Sequence, residues 1–561
     1  MADEQMTGAG LLIDALKKNG LKNMYGVVGI PVTDLARMAQ RNGMRYFGFR
    51  REDSAVNAAA AVGFLTGKPG VALTVSAPGF LNGLVALAEA TKNCFPCIMI
   101  SGSSERHIID MDRGDYEGLD QYNVAKPFCK AAFRVDRPED MGLAVARAMR
   151  AAMSGRPGGV YLDLPADTIG ALLDSKVKPS STIIKELDPA PKQKPSSKAI
   201  GRAVELLKDA KKPLIILGKG ASIAHAEKQV REFIETTKIP YLPMSMAKGL
   251  LPDDHELCVA AARSLSFSEA DTVILVGARL NWMLSYGNKF NPDAKLIQID
   301  IDPDEIDSNK KIDGPLVGDM ISVFDELIPA VKEANVTTPQ SWLDELDAKK
   351  QENFAKMQKR LTTPRSPMGY FGAMRPIKEL IKKNPDTYLV SEGANTLDIG
   401  RDVIDIFKPR HRLDTGTWGV MGVGLGYAIG TAIETGQKVV CVEGDSAFGF
   451  DGMEIETICR LHLPITIVIF NNGGIYNGAE KNPAGSDPAP ITLDAKGRYD
   501  KLSEAFGGLA YNVTTPEELD KALNEAYDSG KPAIINAVID PAIGKESGHI
   551  GNLNPKLNIK H

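Results

Sequence analysis

Cysteine and aromatic residues are scarce: six cysteines and three tryptophans stand in 561 residues, and aromatics make up only 6%. Cys94, Cys97, Cys129, Cys258, Cys441 and Cys459 follow none of the even spacings of a disulfide-stapled secreted domain, so reduced thiols are expected. Cys94 and Cys97 form a C-x-x-C in NCFPCIMISG, but the apolar run after it reads as a buried strand, which disfavours redox or metal use. Neither sign of charge dominates: 66 Lys and Arg against 71 Asp and Glu leave a net charge of −5, with no electrostatic footprint for nucleic acid. No apolar run approaches the ~18 residues a membrane span needs. The opening MADEQMTGAG lacks the basic and apolar regions of a secretory signal. No nucleic-acid partner, no membrane and a cytoplasmic location are the expectations.

What is present suits ordinary globular cores, with 43% hydrophobic and 24% charged residues. A chain of this length exceeds the ~250 residues at which single cores stop growing, so several domains are expected. Helical stretches (LLIDALKKNG, DSAVNAAAAVGFLTG, LVALAEATK) alternate with short β-branched runs (MYGVVG, VALTVS, CIMISG, VYLDLP), as repeated βα units do. The Lys/Pro/Ser-rich KVKPSSTIIKELDPAPKQKPSSK interrupts that rhythm as a linker would. LIILG, TVILVGA and LIQIDID then mark a second α/β unit, followed by the charged helical tether LDELDAKKQENFAKMQKRL. TYLVSEG, VVCVEGD, ITIVIFNN and AIINAVID mark a third. The reading is three parallel-sheet α/β domains, at 1–175, 195–340 and 368–561.

The most informative segment is VVCVEGDSAFGFDGMEIETICRLHLPITIVIFNNGG, from Val439 to Gly474. A strand ending at Gly444-Asp445-Ser446 puts a carboxylate at the carboxyl edge of a sheet, where open α/β sheets bind ligands. If the next strand, ending at Asn471-Asn472, lies beside it, Asp445, the Asn472 amide oxygen and the Gly474 carbonyl converge as the hard oxygen donors that Mg²⁺ prefers. A helix starting near Ser446 turns its N–H groups toward the same place, which favours a diphosphate. Two ordinary strand-to-helix turns read equally well from spacing alone.

G-D-S, then 24 residues, then N-N resembles the G-D-G…N-N motif of thiamine-diphosphate-dependent enzymes, with Ser446 in place of the usual glycine. The resemblance implies thiamine diphosphate and Mg²⁺ as cofactors, with Asp445, Asn472 and the Gly474 carbonyl as metal ligands and Ser446 and Tyr476 beside the cofactor. FGFRREDSAVNAAAAVGFLTGKPGVALTVSAPGFLNG resembles the pyrimidine-binding segment, which assigns Pro78 and Asn82 to cofactor contact and makes Glu52 the pyrimidine carboxylate. Bonded to N1′, that carboxylate stabilises the iminopyrimidine that draws the proton from thiazolium C2. Without the resemblance, Glu52 and Asp53 read as acidic residues favouring a helix N-terminus. Near relatives often carry His-Glu-Gln where this chain has Arg51-Glu52-Asp53. In GTWGVMGVGLGYAIG the resemblance makes Met421 the apolar wedge that bends the cofactor and the Gly419 carbonyl the acceptor for its 4′-amino group. Neither G-V-G-L-G nor Gly218-Lys219-Gly220 completes a G-x-G-x-x-G nucleotide loop, and tight helix packing explains the first better.

Ile30-Pro31 stands where some simple 2-oxoacid decarboxylases carry paired histidines. GVVGIP, SGSSER, GDYEGLDQ, LGKGA, VGARLNW, EGAN and NNGGIY instead resemble the oxalyl-CoA decarboxylase branch over nearly the whole length. The implied reaction turns oxalyl-CoA into formyl-CoA and carbon dioxide, in oxalate catabolism. Tyr116, Glu117, Tyr476 and Ser547 are the pocket residues that this resemblance carries over. Read alone, Tyr116 and Glu117 are a solvated loop and Ser547 is plain tail; a tail closing as a lid over substrate is the alternative expectation. Arg263 and Arg401 are basic candidates for the CoA phosphates, with His549 where relatives often have Arg. Gly218, Lys219, Gly220, Arg279, Asp300 and Asp302 resemble an ADP site, ADP being an activator in that branch; a degenerate nucleotide fold used as a spacer is the alternative. Rival functions are a 2-hydroxyacyl-CoA lyase, yielding formyl-CoA and an aldehyde, and a catalytically silent nucleotide-binding subunit. Because the family's cofactor lies between two chains, at least a dimer is expected, and a homotetramer is favoured.

Overall fold

The computed structural model describes residues 6–184, 192–476 and 478–541. The described residues form seventeen strands in three wholly parallel sheets, with helices between them. The first sheet holds β1 (Asn23–Gly26), β2 (Arg45–Gly48), β3 (Gly70–Thr74), β4 (Cys97–Ser103), β5 (Ala131–Arg134) and β6 (Gly159–Pro165), in the order β2-β1-β3-β4-β6-β5. The second holds β7 (Pro213–Leu217), β8 (Tyr241–Pro243), β9 (Thr272–Val276), β10 (Lys295–Asp300) and β11 (Gly314–Val317), ordered β11-β10-β9-β7-β8. The third holds β12 (Tyr388–Ser391), β13 (Arg412–Asp414), β14 (Val439–Gly444), β15 (Ile465–Asn471), β16 (Leu509–Val513) and β17 (Ala533–Val538), ordered β13-β12-β14-β15-β17-β16. The first and third sheets therefore repeat one topology strand for strand. The expected α/β class is the one observed.

Local chemistry accounts for the elements. Central strands such as β7, β9 and β4 are buried along their whole length, as strands covered by helices on both faces must be, and their sequences are apolar runs rather than alternations. Helix ends carry their own signals. The helix Pro516–Ser529 opens with a capping box of Thr515 and Glu518 and stops at Gly530 in the left-handed conformation.

The described residues fall into two compact units, one built on the first sheet and including Thr417–Gly436 and Asp451–Leu461, the other on the second and third sheets. In the first unit the helix Gly424–Thr435 lies against the helix Glu52–Thr66, and its glycines make the contact possible. A Cβ on Gly426 would meet Asn57 Cβ and Ser54 O at 2.7 Å, and one on Gly430 would meet Ala58 Cα at 2.8 Å. G-V-G-L-G thus serves close helix packing, as read from the sequence.

In the second unit a buried charge cluster ties Ser245, shortly after β8, to β13 and the helix Asn395–Val403. Asp414 bonds to the Ser245 hydroxyl and the Gly416 N–H, with the Arg401 and Arg412 guanidinium groups 3.3 and 3.5 Å away. Burial alone would raise its pKa, but the two arginines outweigh burial and hold it at about 2.

Gly430→Val should destabilise the first unit by about 1–3 kcal/mol through helix separation, read as a lower urea midpoint. Asp414→Asn leaves Arg412 buried without its counter-charge and Arg401 with Asp398 alone, and should cost about 3–5 kcal/mol at neutral pH. Because the folded pKa lies below the unfolded one, the wild-type advantage is full above pH ~4 and fades as pH falls toward 2. Urea melts of both proteins across that range check the sign.

Candidate active site

β14 and β15 are neighbours, with Gly444 paired to Phe470, so the turns that follow them meet at the carboxyl edge of the third sheet. Asp445 starts a short helix there and is 2% exposed. Its Oδ1 accepts the Ser446 N–H at 2.9 Å, while Oδ2 is buried without a hydrogen-bond partner among the described residues. Burial pushes the carboxyl up to about 6, against the pull of the Ser446, Gly473 and Gly474 N–H groups. An orphaned carboxylate oxygen is costly in a folded core and is what a cation ligand looks like without its cation.

Asn472 is buried beside it, accepting the Gly474 N–H at Oδ1 (3.3 Å) and donating Nδ2 to the Tyr476 carbonyl (3.0 Å). Gly473 has φ +75°, and a Cβ there would lie 2.5 Å from Ala495 Cβ, so this turn needs glycine. Tyr476 is itself left-handed at φ +54°. Its carbonyl also accepts Asn395 Nδ2 at 2.7 Å, so two amides hold the strained turn. Asp445, Asn472 and Gly474 thus lie at one sheet edge as an all-oxygen donor set suited to Mg²⁺. Ser446 takes helical backbone, so its side chain meets no positive-φ penalty.

In the first unit Glu52 is the first residue of its helix and 8% exposed. Asn82 Nδ2 donates to Glu52 Oε2 at 3.1 Å, and a Cβ on Gly79 would lie 3.0 Å from Oε1. The missing side chain at Gly79 keeps that oxygen approachable, and Pro78 is exposed at the start of the helix carrying Gly79 and Asn82. Glu117 bonds through Oε2 to the Ser76 hydroxyl, while Tyr116 is 81% exposed. Gly419 and Met421 sit on an open loop of the same unit, pinned at both ends: Thr417 N donates to Asn93 Oδ1 (3.0 Å) and Asn57 Nδ2 to the Gly422 carbonyl (3.3 Å).

Comparison with known proteins decides the family. Residues 6–124, 200–327 and 393–537 match the models "Thiamine pyrophosphate enzyme, N-terminal TPP binding domain", "central domain" and "C-terminal TPP binding domain". Oxalyl-CoA decarboxylase of Escherichia coli (strain K12) is 57% identical over 560 residues, covering 99% of each chain. The chain belongs to the thiamine pyrophosphate enzyme family. Also similar are 2-hydroxyacyl-CoA lyase of Oryza sativa subsp. japonica, 42% identical over 98% of each chain, and 2-hydroxyacyl-CoA lyase 1 of Homo sapiens, 40% identical over 96% of each. Thiamine pyrophosphate and thiamine diphosphate are the same molecule.

For a thiamine pyrophosphate enzyme the remaining candidates sort by position. In the second sheet, Gly218-Lys219-Gly220 follows β7, Arg279 follows β9, Asp300 ends β10 and Asp302 lies just after it; these strands are adjacent. Gly218 and Gly220 pack on Gly277, where a Cβ on Gly220 would lie 2.9 Å from Gly277 Cα, so both glycines have a packing role. Arg263 is exposed, stacked 4.9 Å over Phe267. Arg401 is mostly buried and engaged with Asp414, Asp398 and Ser245, while its Nη2 has no hydrogen-bond partner among the described residues. Ser547, His549 and the tail expected to act as a lid lie outside the described residues.

Asn395, Gln121 and the Asn57/Asn93 pair went unassigned in the sequence reading. Gln121 is buried, accepting the Ala77 N–H and donating to the Gly102 carbonyl and Tyr161 hydroxyl at 2.9 Å each. It holds Ala77, whose φ of 33° and ψ of −87° are strained, just before Pro78. Asn395 had a visible signal as a polar residue opening a helix after the strand TYLVS. Nothing in sequence marked the others.

Asn395→Ala should lower the stability of the cofactor-free protein by about 1–2 kcal/mol, the cost of leaving the Tyr476 carbonyl with one donor fewer. It should also weaken thiamine diphosphate binding in calorimetry, with an unchanged far-ultraviolet spectrum.

Proposed function

We propose that this chain decarboxylates oxalyl-CoA to formyl-CoA and carbon dioxide with thiamine diphosphate and Mg²⁺, serving oxalate catabolism in the cytoplasm. What carries the reading is the orphaned Asp445 oxygen beside Asn472 and Gly474, in a chain 57% identical over its length to a protein named oxalyl-CoA decarboxylase.

When bound, thiamine diphosphate supplies a carbanion nucleophile at thiazolium C2 and a sink for the electrons released with carbon dioxide. The chain's part is to hold it and place the substrate. Asp445, Asn472 and the Gly474 carbonyl hold Mg²⁺, and with Ser446 receive the diphosphate. Glu52 holds the proton at pyrimidine N1′; the Asn82 amide fixes Oε2 and leaves Oε1 for that proton. Gly419 offers its carbonyl to the 4′-amino group and Met421 its exposed side chain as the wedge. Loss of carbon dioxide needs no protein base, so the pocket's task is to orient the carboxylate, exclude water and return a proton to the product. Tyr116, Glu117, Tyr476 and Ser547 take those roles, Glu117 already anchored to Ser76.

Arg263 is the most available cation for the CoA phosphates, with Arg401 and His549 as further candidates. The strand-end residues Gly218, Lys219, Gly220, Arg279, Asp300 and Asp302 suit ADP as an activator. A cofactor shared between two copies makes the active species at least a dimer, best read as a homotetramer.

Purified protein with thiamine diphosphate, Mg²⁺ and oxalyl-CoA should release formyl-CoA without an aldehyde, followed by chromatography. Glu52→Ala should cut turnover by at least ~100-fold, the lower end of what a lost acid–base group costs. Asp445→Ala should abolish the rise in melting temperature that Mg²⁺ and thiamine diphosphate produce. Aldehyde from a longer 2-hydroxyacyl-CoA, with no turnover of oxalyl-CoA, would transfer the reading to the lyase. Deleting the residues after Lys545 should cripple turnover and spare thiamine diphosphate binding; unchanged turnover removes the lid.

A further inference from the structure

We propose that Glu454 is a positioning residue for Glu52, clamping the two backbone N–H groups that lead into the Glu52 helix. The proposal rests on the reading that Glu52 serves the cofactor pyrimidine. Glu454 opens the helix Glu454–Arg460 in the first unit and is 0% exposed. Its Oε1 accepts Arg51 N–H at 2.9 Å and Arg50 N–H at 3.1 Å, and its Oε2 accepts the Thr457 hydroxyl at 2.6 Å. Burial pushes the carboxyl up to about 7, so the site keeps a group whose charged form is costly there.

The clamp answers a local need. The helix Glu52–Thr66 begins after Arg51, whose side chain provides no cap and instead pairs with Asp53 at 2.8 Å. The link from β2 is held residue by residue: Arg460 donates to the Gly48 carbonyl (2.7 Å), Phe49 N–H to the Gly26 carbonyl (2.9 Å), and Arg50 and Arg51 N–H groups to Glu454. The next residue is Glu52. A carboxylate oxygen can accept two diverging N–H groups at once, which makes this clamp stiffer than a single hydroxyl would. Because catalytic carboxyls need placement within about 0.5 Å, freeing this link should misplace Glu52. The sequence had no sign of it, as some 400 residues separate the partners.

The test uses the full chain. Hydrogen–deuterium exchange of the cofactor-free protein should show the peptide spanning Gly48 to Ser54 exchanging at least tenfold faster in Glu454→Ala than in wild type. With thiamine diphosphate bound, C2–H exchange followed by NMR should slow at least tenfold in that variant and kcat should fall in step, with KM for oxalyl-CoA within twofold. Glu454→Gln keeps the Oε1 acceptor and should restore all three to within threefold. A folded Glu454→Ala with wild-type exchange at this peptide, or with a loosened peptide and wild-type C2–H exchange, overturns the proposal. Should Glu454→Ala not fold, the shorter Glu454→Asp takes its place, where C2–H exchange at least threefold slower is expected and a wild-type rate is the contrary result. Glu52→Ala separates the two readings. If it retains C2–H exchange, the role of Glu52 falls and the proposal with it; if it is silent beside a wild-type Glu454→Ala, only the proposal falls.

Discussion

Buried carboxylates that collect backbone N–H groups hold the working loops of this protein in place. Asp445 takes the Ser446 N–H, Glu454 those of Arg50 and Arg51, Asp414 that of Gly416, Asp451 that of Leu425 and Asp253 that of Ile406. The backbone at a strand-to-helix turn leaves donors that neither element satisfies. A charged acceptor satisfies them with bonds worth about 1.5–3 kcal/mol each, and it is tolerable in a core only while so bonded. Glu454 and Asp414 have both oxygens committed. Asp445, like Asp253, keeps one oxygen without a hydrogen-bond partner among the described residues, and is set apart by its place beside Asn472 and Gly474 at the carboxyl edge of its sheet.

The topology explains where such loops fall. Each sheet has a reversal of strand order, between β1 and β3, β7 and β9, and β12 and β14, and in the first and third sheets the chain turns back a second time, from β5 to β6 and from β16 to β17. At a reversal the two flanking turns diverge to opposite faces and open a crevice at the carboxyl edge. The turn after β3 carries Ser76 to Pro78, those after β7 and β9 carry Gly218 to Gly220 and Arg279, and those after β12 and β14 carry Asn395 and Asp445. Ser76 to Pro78, Gly218 to Gly220 with Arg279, and Asn395 with Asp445 thus stand at such reversals, whereas Glu52 follows β2 and Asn472 follows β15. The first and third sheets repeat a single topology, yet the turns of one carry Glu52 and Ser76 to Pro78 and those of the other Asn395, Asp445 and Asn472. The turn residues differ while the scaffold does not.

Legibility in the sequence followed burial. The eleven strands visible as apolar β-branched runs are the interior strands of the three sheets, and the six unmarked ones, β2, β5, β8, β11, β13 and β16, are the sheet edges. An interior strand is covered on both faces and must be apolar throughout, whereas an edge strand has one neighbour and can be short or half exposed, as β5 and β16 are. RYFG and AAFR carry too little pattern to stand out from a loop. The same logic governs the sites. Asp445 and Asn472 follow long interior strands and were readable, while Asn395 had a weaker signal after the short β12.

The sequence by itself determined the parallel α/β class, the interior strands, the family and the residues that its motif names. These follow from local periodicity and from short motifs whose spacing is set by one strand, one turn and one helix. Only the tertiary structure decided what holds those residues: Glu454 on the residues before Glu52, Asn93 and Asn57 on the loop of Gly419 and Met421, Gln121 on Ala77, and Arg401 and Arg412 on Asp414. Apart from Arg412 and Asp414, which are two residues apart, such partners lie from thirteen to some 400 residues apart, and the contacts joining them depend on distances of a few ångströms that no local pattern encodes.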